Sequence, residues 1–312
     1  MPIHVPPALA AHHDNHSGAE GRAWITALPR LAADLLDHWN LRPDGPARHG
    51  MVSLVLPVRR PDGTPAALKL QPTNEENDGE PVGLRAWNGD AIVRLLDHDP
   101  ATGTMLLERL DATRPLSEHP DPDTAVSILA DLLARLVAHP APPTLRRLAD
   151  IAAAMLDTAD HLIPTLPDAG ERRLLRTCAT AMTELLDEPG DRLLHWDLHY
   201  DNVLAADREP WLAIDPKPLA GDPGFDLMPA LDNRWHDITT APDIPHAILR
   251  RFDHLTEALT LDRARATTWT LARVLQNCLW DIADGTKTLD PVQVTIAEAL
   301  LAGPRSTTRP PA

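Results

Sequence analysis

With 312 residues, 43% of them hydrophobic, and a formal net charge of −16, the chain is long enough to bury one large core or two smaller ones. Its acidic balance disfavours nonspecific binding to nucleic acid, and no uncharged apolar run approaches the ~18 residues that a membrane-spanning helix needs. We therefore expect two lobes, no nucleic-acid or membrane partner, and a surface that attracts cationic small molecules.

The first residues, Met1 to Pro7, lack the basic start and continuous apolar stretch of a secretory signal, so we expect the protein in the cytoplasm. Its two cysteines, Cys178 and Cys278, each lie in a helix-like segment. Two thiols placed in this way indicate neither a disulfide framework nor a thiolate metal site. We expect both side chains to fill the core.

The first third of the chain predicts a leading helix and a small antiparallel sheet. Apolar residues recur at helical spacing between Trp24 and Trp39. Two apolar runs separated by the turn Pro61-Asp62-Gly63 indicate a hairpin, and two further runs follow a short helical pattern. The predicted elements are a helix over 24–40, strands over 50–58 and 66–70, a helix over 80–87, and strands over 92–96 and 105–108.

From about residue 120 the pattern changes to long helical segments. These are predicted over 125–138, 145–163, 171–186, 248–259 and 263–282. The fold class is therefore α+β, with a small antiparallel-sheet N-lobe over 1–110 and a larger, mainly helical C-lobe over 111–312. The residues after Gly303 are expected to be disordered.

A polar motif in the helical half is typical of the catalytic loop of a kinase. His195-x-Asp197 is followed after four residues by Asn202, and a second Asp, Asp215, ends an apolar run thirteen residues later. Phosphoryl transfer from ATP needs a carboxylate that accepts the acceptor's hydroxyl proton, and oxygen ligands for Mg²⁺. We assign these roles to Asp197 and to Asn202 with Asp215, and expect His195 to brace the loop.

Two other interpretations of the same residues remain open. Asp and Asn also cap turns in surface loops. In addition, His195, Asp197 and His199 could form a His-x-Asp-x-His metal cluster of a hydrolase. The hydrolase interpretation requires further ligands, and the other candidate histidines do not stand at ligand spacing in an obvious strand or loop: His12, His13, His16 and His236.

The nucleotide site is predicted in the N-lobe strands. Lys69, one of three lysines in the chain, lies on the strand over 66–70, where a kinase places a lysine against the nucleotide phosphates. Its partner should be a carboxylate on the next helix, for which we choose Glu80, with Glu76 as the competitor. The remaining expectations are phosphate contacts from the backbone between Gly50 and Ser53, adenine contacts at the hinge from Glu108 to Leu110, and support of the catalytic loop by Asp226 and Asp222.

Three segments together resemble the aminoglycoside phosphotransferase family, in its streptomycin 6-kinase and hydroxyurea phosphotransferase branch. They are Leu194 to Asn202, Trp211 to Lys217, and Gly221 to Leu227, with weaker likeness over about residues 24 to 290. The resemblance implies a protein-kinase-like fold and transfer of the γ-phosphoryl of ATP to a hydroxyl of a small molecule, with Mg²⁺, as in antibiotic resistance. The short interval between Asp215 and Asp226 leaves no room for a long activation segment, so peptide substrates are not expected.

An aminoglycoside is polycationic, so the resemblance implies a pocket lined by carboxylates, with aromatic rings to stack on a sugar or guanidino group. Candidates are Asp232, Asp237, Asp281, Asp284, Trp235 and Trp280. We prefer an aminoglycoside of streptomycin type over hydroxyurea, while an amino-sugar or amino-alcohol kinase stays open. A kinase-like binding protein without turnover is the alternative of another class. We expect a monomer.

Overall fold

The computed structural model describes residues 3–303. Its first part is one antiparallel sheet covered by a long helix. The strands follow the order β1-β3-β4-β6-β5, and β2 pairs with β3. The elements are α1 (Pro7–His38), β1 (Arg42–Pro43), β2 (Arg48–His49), β3 (Leu54–Arg59), β4 (Pro65–Leu70), α2 (Glu80–Trp87), β5 (Leu95–Asp99) and β6 (Thr104–Glu108).

Helix α1 begins seventeen residues before the helix that the sequence predicts over 24–40. Residues 12–18 of the added segment are His, Asp, Asn, Ser and Gly, which are weak helix formers, so propensity does not indicate a helix that continues through them. Tertiary contacts hold it instead: Leu9 is fully buried, and the His13 ring contacts the carbonyl of Val52 through Nε2 at 3.0 Å. The helix is kinked at Gly18, whose φ of 51° lies in the left-handed region that favours glycine.

The sheet separates two apolar environments. Alternate residues of β3 and β4, among them Leu56 and Leu68, pack with Leu28 and Leu35 of α1. Residues on the opposite face, such as Met105, join the core of the helical part of the chain. Because successive side chains of a strand alternate, Lys69 faces away from the α1 side and toward the helical part.

The second part of the chain is mainly helical, with two small three-stranded sheets ordered β11-β10-β7 and β8-β12-β9. Its elements are β7 (Asp111–Pro115), α3 (Pro122–Leu136), β8 (Arg146–Arg147), α4 (Leu148–Leu162), α5 (Ala169–Thr183), β9 (Arg192–Leu194), β10 (Val203–Ala205), β11 (Trp211–Ala213), β12 (Leu219–Gly221), α6 (Met228–Asp232), α7 (Trp235–Thr239), α8 (Ile244–Ala258), α9 (Arg263–Ala283) and α10 (Pro291–Ala302).

The five long helices predicted in this part are present as α3, α4, α5, α8 and α9, with ends displaced by a few residues. Most of them begin after an aspartate whose side chain accepts a backbone N–H of the first turn, which satisfies a donor that the helix leaves unpaired. The capping residues are Asp121 of α3, Asp168 of α5, Asp243 of α8 and Asp262 of α9, and Asp290 caps α10 in the same way. Helix α10 and the short α6 and α7 were not predicted.

Helices and antiparallel sheets are thus distributed as the predicted α+β class requires. Cys178 and Cys278 are both buried and unbridged, as predicted, and burial raises the pKa of Cys178 to about 12. The lobe boundary at residue 110 stays a prediction, and the expectation for the residues after Gly303 lies outside the described part of the chain. Between residues 3 and 303, no helix combines the length and apolar character needed to cross a bilayer.

Candidate active site

One buried carboxylate, that of Asp226, binds the backbone of the loop after β9. The two oxygens of Asp226 accept the backbone N–H groups of His195 at 2.8 Å and of Trp196 at 2.6 Å. Asp226 is fully buried, and burial raises its pKa to about 6, although the two N–H donors act in the opposite direction. The loop support expected of Asp226 is therefore present as a pair of short hydrogen bonds.

Both ring nitrogens of His195 contact backbone groups. Nε2 donates to the carbonyl of Ile214 at 3.1 Å, and Nδ1 accepts the N–H of Asp197 at 3.3 Å. Burial lowers the pKa of His195 to about 3, so the ring is neutral, as this donor and acceptor pair requires. No ring nitrogen is left for a metal, which argues against the His195, Asp197 and His199 cluster of a hydrolase. Within the described residues, no group of three His, Cys, Asp or Glu side chains could hold a metal ion.

Asn202 and Asp215 lie next to Asp197 because backbone pairing joins the two segments that carry them. The Asn202 side-chain amide donates through Nδ2 to the Asp197 backbone carbonyl at 2.9 Å. The Asn202 Oδ1 therefore points away from that carbonyl. The N–H of Ile214 donates to the Asn202 carbonyl at 2.9 Å, which places Asp215 beside Asn202. Asp215 adopts a left-handed conformation with φ 58°, a costly state for a residue with a Cβ.

Lys69 joins the sheet to this loop. Its Nζ lies 2.7 Å from both oxygens of Glu80, and it also contacts Oδ1 of Asp215 directly. Gln71 donates to Glu80 at 2.7 Å, which completes the coordination of that carboxylate. Burial by itself lowers the pKa of Lys69, but the charges of Asp215 and Glu80 outweigh it and raise the pKa above its ordinary value.

The buried ammonium also holds the pKa of Asp215 well below its usual range, against the effect of burial. Of the two partners considered for Lys69, the structure places Glu80 in contact. Glu76 lies in the preceding loop, where its N–H donates to the Asn74 side chain. The site therefore contains an ionised carboxylate at 215 in contact with the Lys69 ammonium, and beside it the amide of Asn202 and the loop that carries Asp197.

Ser53 and the hinge residues are positioned as follows. Ser53 is buried in the β2–β3 turn, where its carbonyl accepts the N–H of Gly50 at 3.0 Å.

The Glu108 carboxylate binds Arg208, whose Nε and Nη2 donate to it at 3.1 and 3.0 Å. The Glu108 N–H donates to the Arg94 carbonyl, and Leu110 packs against the large core. The Glu108 side chain is thus a link between the two halves of the chain, and its own N–H is not available to a nucleotide.

Among the acceptor-site candidates, Asp232 is the one that interacts electrostatically with the catalytic loop. It ends α6, accepts a hydrogen bond from Gln293 at 3.2 Å, and lies within electrostatic range of Asp197 and His199. Burial raises the pKa of Asp232 to about 6. Asp237, in contrast, is already paired with Arg234 at 2.6 Å.

The remaining candidates lie on α7 and at the end of α9. Trp235 begins α7 and packs partly against the core. Asp281 is half-buried at the end of α9, where burial and the neighbouring Asp290 and Asp284 raise its pKa. Trp280 is 44% exposed and lies 6.1 Å from the ring of Trp196.

Sequence reasoning missed two arginines that the structure brings to the site. Arg208 lies in the turn between β10 and β11 and reaches Glu108 across 100 residues of sequence. Arg273 stands on the buried face of α9, next to Trp196. The one available signal for Arg273 was a charged residue at an apolar position of the helix over 263–282.

Comparison with known proteins gives a consistent result. A model of the aminoglycoside/hydroxyurea antibiotic resistance kinase family matches residues 38–285. A streptomycin 6-kinase from Streptomyces glaucescens is 59% identical over 298 residues, which span 96% of this chain and 97% of that protein. A hydroxyurea phosphotransferase from Kitasatospora aureofaciens is 54% identical over 301 residues, which span 96% of this chain and 86% of that protein.

The fold is similar to that of a thermostable mutant of the aminoglycoside phosphotransferase APH(4)-Ia in a ternary complex with ADP and hygromycin B. The TM-score is 0.58 at 14% identity, over 87% of this chain and 98% of that one. This likeness confirms the predicted bilobal, protein-kinase-like fold. The close relatives are named kinases and phosphotransferases, which confirms the predicted enzyme class. The chain belongs to the aminoglycoside/hydroxyurea antibiotic resistance kinase family.

Proposed function

We propose that the protein transfers the γ-phosphoryl group of ATP to a hydroxyl of an aminoglycoside of streptomycin type. One observation carries the chemistry: Lys69 joins Glu80 to Asp215, and Asp215 lies beside Asn202 and the loop that carries Asp197. These are the side chains that phosphoryl transfer requires, although they come from distant parts of the chain.

Each residue has a role in this proposal. The Asp197 carboxylate accepts a hydrogen bond from the acceptor hydroxyl and takes its proton as the oxygen attacks phosphorus. The Lys69 ammonium, oriented by Glu80, binds the nucleotide phosphates. His195 and Asp226 hold the loop backbone so that Asp197 keeps its direction. Ser53 and Leu110 stay candidates for contacts to the phosphates and the adenine.

The donor set fits a magnesium ion. Asn202 supplies an amide oxygen and Asp215 a carboxylate whose pKa is depressed, and hard oxygen donors are the ligands that Mg²⁺ prefers. Bound there, the ion would neutralise charge on the phosphate oxygens. The proposed cofactors are therefore ATP and Mg²⁺.

Similarity and charge support the choice of acceptor. The relative from Streptomyces glaucescens is a streptomycin 6-kinase at 59% identity, slightly above the hydroxyurea phosphotransferase at 54%. The net charge of −16 and the carboxylate of Asp232 near Asp197 favour a cationic acceptor over neutral hydroxyurea. Hydroxyurea is the second candidate because of that 54% relative.

In this proposal the enzyme works as a monomer in the cytoplasm, where ATP is available, since one chain supplies all the groups of the site. A binding protein without turnover is disfavoured because Asp197, Asn202 and Asp215 are all retained and brought together.

The test is ADP release by the purified protein with ATP, Mg²⁺ and a panel of acceptors: streptomycin, other aminoglycosides, hydroxyurea and amino sugars. We expect turnover with streptomycin, a product heavier by one phosphoryl group, and loss of both in Asp197→Ala. Turnover restricted to hydroxyurea would replace the proposed acceptor with the second candidate. No ADP release with any acceptor would contradict the proposal.

A further inference from the structure

Arg273 is a buried cation without an ion pair among the described residues. The residue is 6% exposed, and its Nε has no hydrogen-bond partner in residues 3–303. Its guanidinium lies instead over three aromatic rings, 5.1 Å from the centroid of Trp196, 5.3 Å from that of Trp280 and 5.7 Å from that of Phe225. A buried charge without an ion pair costs folding free energy, and the carboxylates within electrostatic range of this one include those of Asp197, Asp226 and Asp232.

Trp196, the ring nearest to this cation, directly precedes Asp197. Its φ of 67° lies in the left-handed region, which is unfavourable for a residue with a large side chain. The surrounding contacts must therefore hold this conformation. Its N–H is bound by Asp226, and a second guanidinium, that of Arg146, lies 4.6 Å from its ring centroid.

Gln276 connects these two residues. Its Oε1 accepts the Nη1 donor of Arg273 at 2.8 Å and the indole N–H of Trp196 at 3.3 Å. Arg273 and Gln276 stand three residues apart on α9, so they lie on one face of the helix. One amide oxygen thus fixes both the indole ring and the guanidinium that stacks on it.

The backbone bonds to Asp226 and His195 hold the main chain around Asp197, whereas the Trp196 ring is the contact between this part of the loop and α9. Without the contacts of the ring, the backbone hydrogen bonds alone would have to hold the left-handed conformation of the residue next to Asp197.

We propose that Arg273, Gln276 and Trp196 form a positioning unit that sets the direction of the Asp197 carboxylate toward the acceptor hydroxyl. The inference rests on the proposed function and deepens it, because it assigns the orientation of the base to α9. None of the three residues touches the nucleotide in this proposal, and none is a catalytic residue. Loss of the unit therefore slows the chemical step and leaves nucleotide binding intact.

The experiment compares Gln276→Met, which removes the shared oxygen, with Gln276→Glu, which retains it. We expect kcat with streptomycin to fall about 10- to 100-fold in Gln276→Met, because a small misplacement of a catalytic group costs this much. KM for ATP should stay within about twofold of wild type, since uniform binding of the nucleotide is untouched. Gln276→Glu should recover most of the lost kcat.

Arg273→Met tests the cation, and Arg263→Met is its matched control. Arg263 also lies on α9 and over an aromatic ring, 5.4 Å from the centroid of Phe252, but it is paired with Asp253 and its recorded contacts are outside the catalytic loop. If Arg273 has only a structural role, both variants should unfold at a lower temperature than wild type and keep an unchanged kcat per folded molecule. Gln276→Met, which removes no charge, keeps the test valid if Arg273→Met does not fold.

The inference is overturned by an unchanged kcat in folded Gln276→Met, or by a parallel loss of ATP affinity. A wild-type protein that phosphorylates none of the acceptors removes the proposed function, and this inference with it. An active wild type with unaffected variants removes the inference alone.

Discussion

Lys69 and Asp215 are in direct contact although 146 residues of sequence separate them. One stands on a strand of the sheet and the other on the loop after β11 of the helical part. Glu80 holds the other side of the ammonium at 2.7 Å. This single contact brings the proposed nucleotide-binding residues of the sheet to the proposed magnesium ligands of the catalytic loop.

Replacement of Lys69 by Met should destabilise the fold and abolish activity. The buried carboxylate of Glu80 and the one-third exposed carboxylate of Asp215 would lose their cation, a change that costs about 3–5 kcal/mol of unfolding free energy. Urea unfolding measures the loss, and Lys287→Met, at an exposed lysine, is the control that should match wild type. Adding Glu80→Gln to Lys69→Met should restore part of the stability but no activity. Equal stability of Lys69→Met and Lys287→Met would contradict the described ion pair.

Asp197→Asn should lower kcat by about 10² to 10⁴-fold, because the amide cannot accept the proton of the hydroxyl. Binding of an ATP analogue, measured by calorimetry, should be unchanged, since Asp197 makes no contact with the nucleotide in the proposed mechanism. Asp207→Asn, at an exposed carboxylate ten residues along the chain, should retain wild-type kcat. A similar kcat in the two variants would rule out Asp197 as the base.

Asp232 should make stability depend on pH. Burial raises its pKa to about 6 from 3.8. A carboxyl with a raised folded-state pKa stabilises the fold at low pH, and this contribution is lost as the pH rises from about 4 through about 6. Asp232→Asn should therefore be more stable than wild type at about pH 7.5, by about 1–2 kcal/mol, and equal to it near pH 4.

Urea unfolding at both pH values measures this difference. The exposed Asp207→Asn serves as the control, with no change expected at either pH. A variant less stable than wild type at neutral pH would show that the Asp232 carboxylate is better compensated than its burial indicates.

The link between Glu108 and Arg208 should appear as a coupling energy. Their side chains are about one-fifth exposed and share two hydrogen bonds. A double-mutant cycle of Glu108→Gln and Arg208→Met should therefore give a coupling energy of about 1–2 kcal/mol. The exposed pair Arg114 and Asp111 should give no more than about 0.5 kcal/mol. Equal coupling in the two cycles would mean that Arg208 does not tie the sheet to the helical part.

The sequence alone was sufficient for the local features. Asp197 and Asn202 lie in one short loop, and Lys69 and Glu80 are eleven residues apart on a strand and the following helix, so spacing and residue type were enough to select them. The long apolar helices were predicted for the same reason, since their periodicity is carried by neighbouring residues. The first half of α1 was not, because the weak helix formers at 12–18 interrupt the pattern and tertiary contacts of Leu9 and His13 hold the segment.

Only the tertiary structure decided which distant side chains meet. Nothing near Arg273 in sequence indicates Trp196 as its neighbour, and Arg208 reaches Glu108 across 100 residues. Asp232 and Asp237 are indistinguishable by composition, yet one lies in the field of Asp197 and the other is bound by Arg234. The physical reason is that propensity and periodicity depend on neighbours along the chain, whereas burial, ion pairing and pKa depend on neighbours in space.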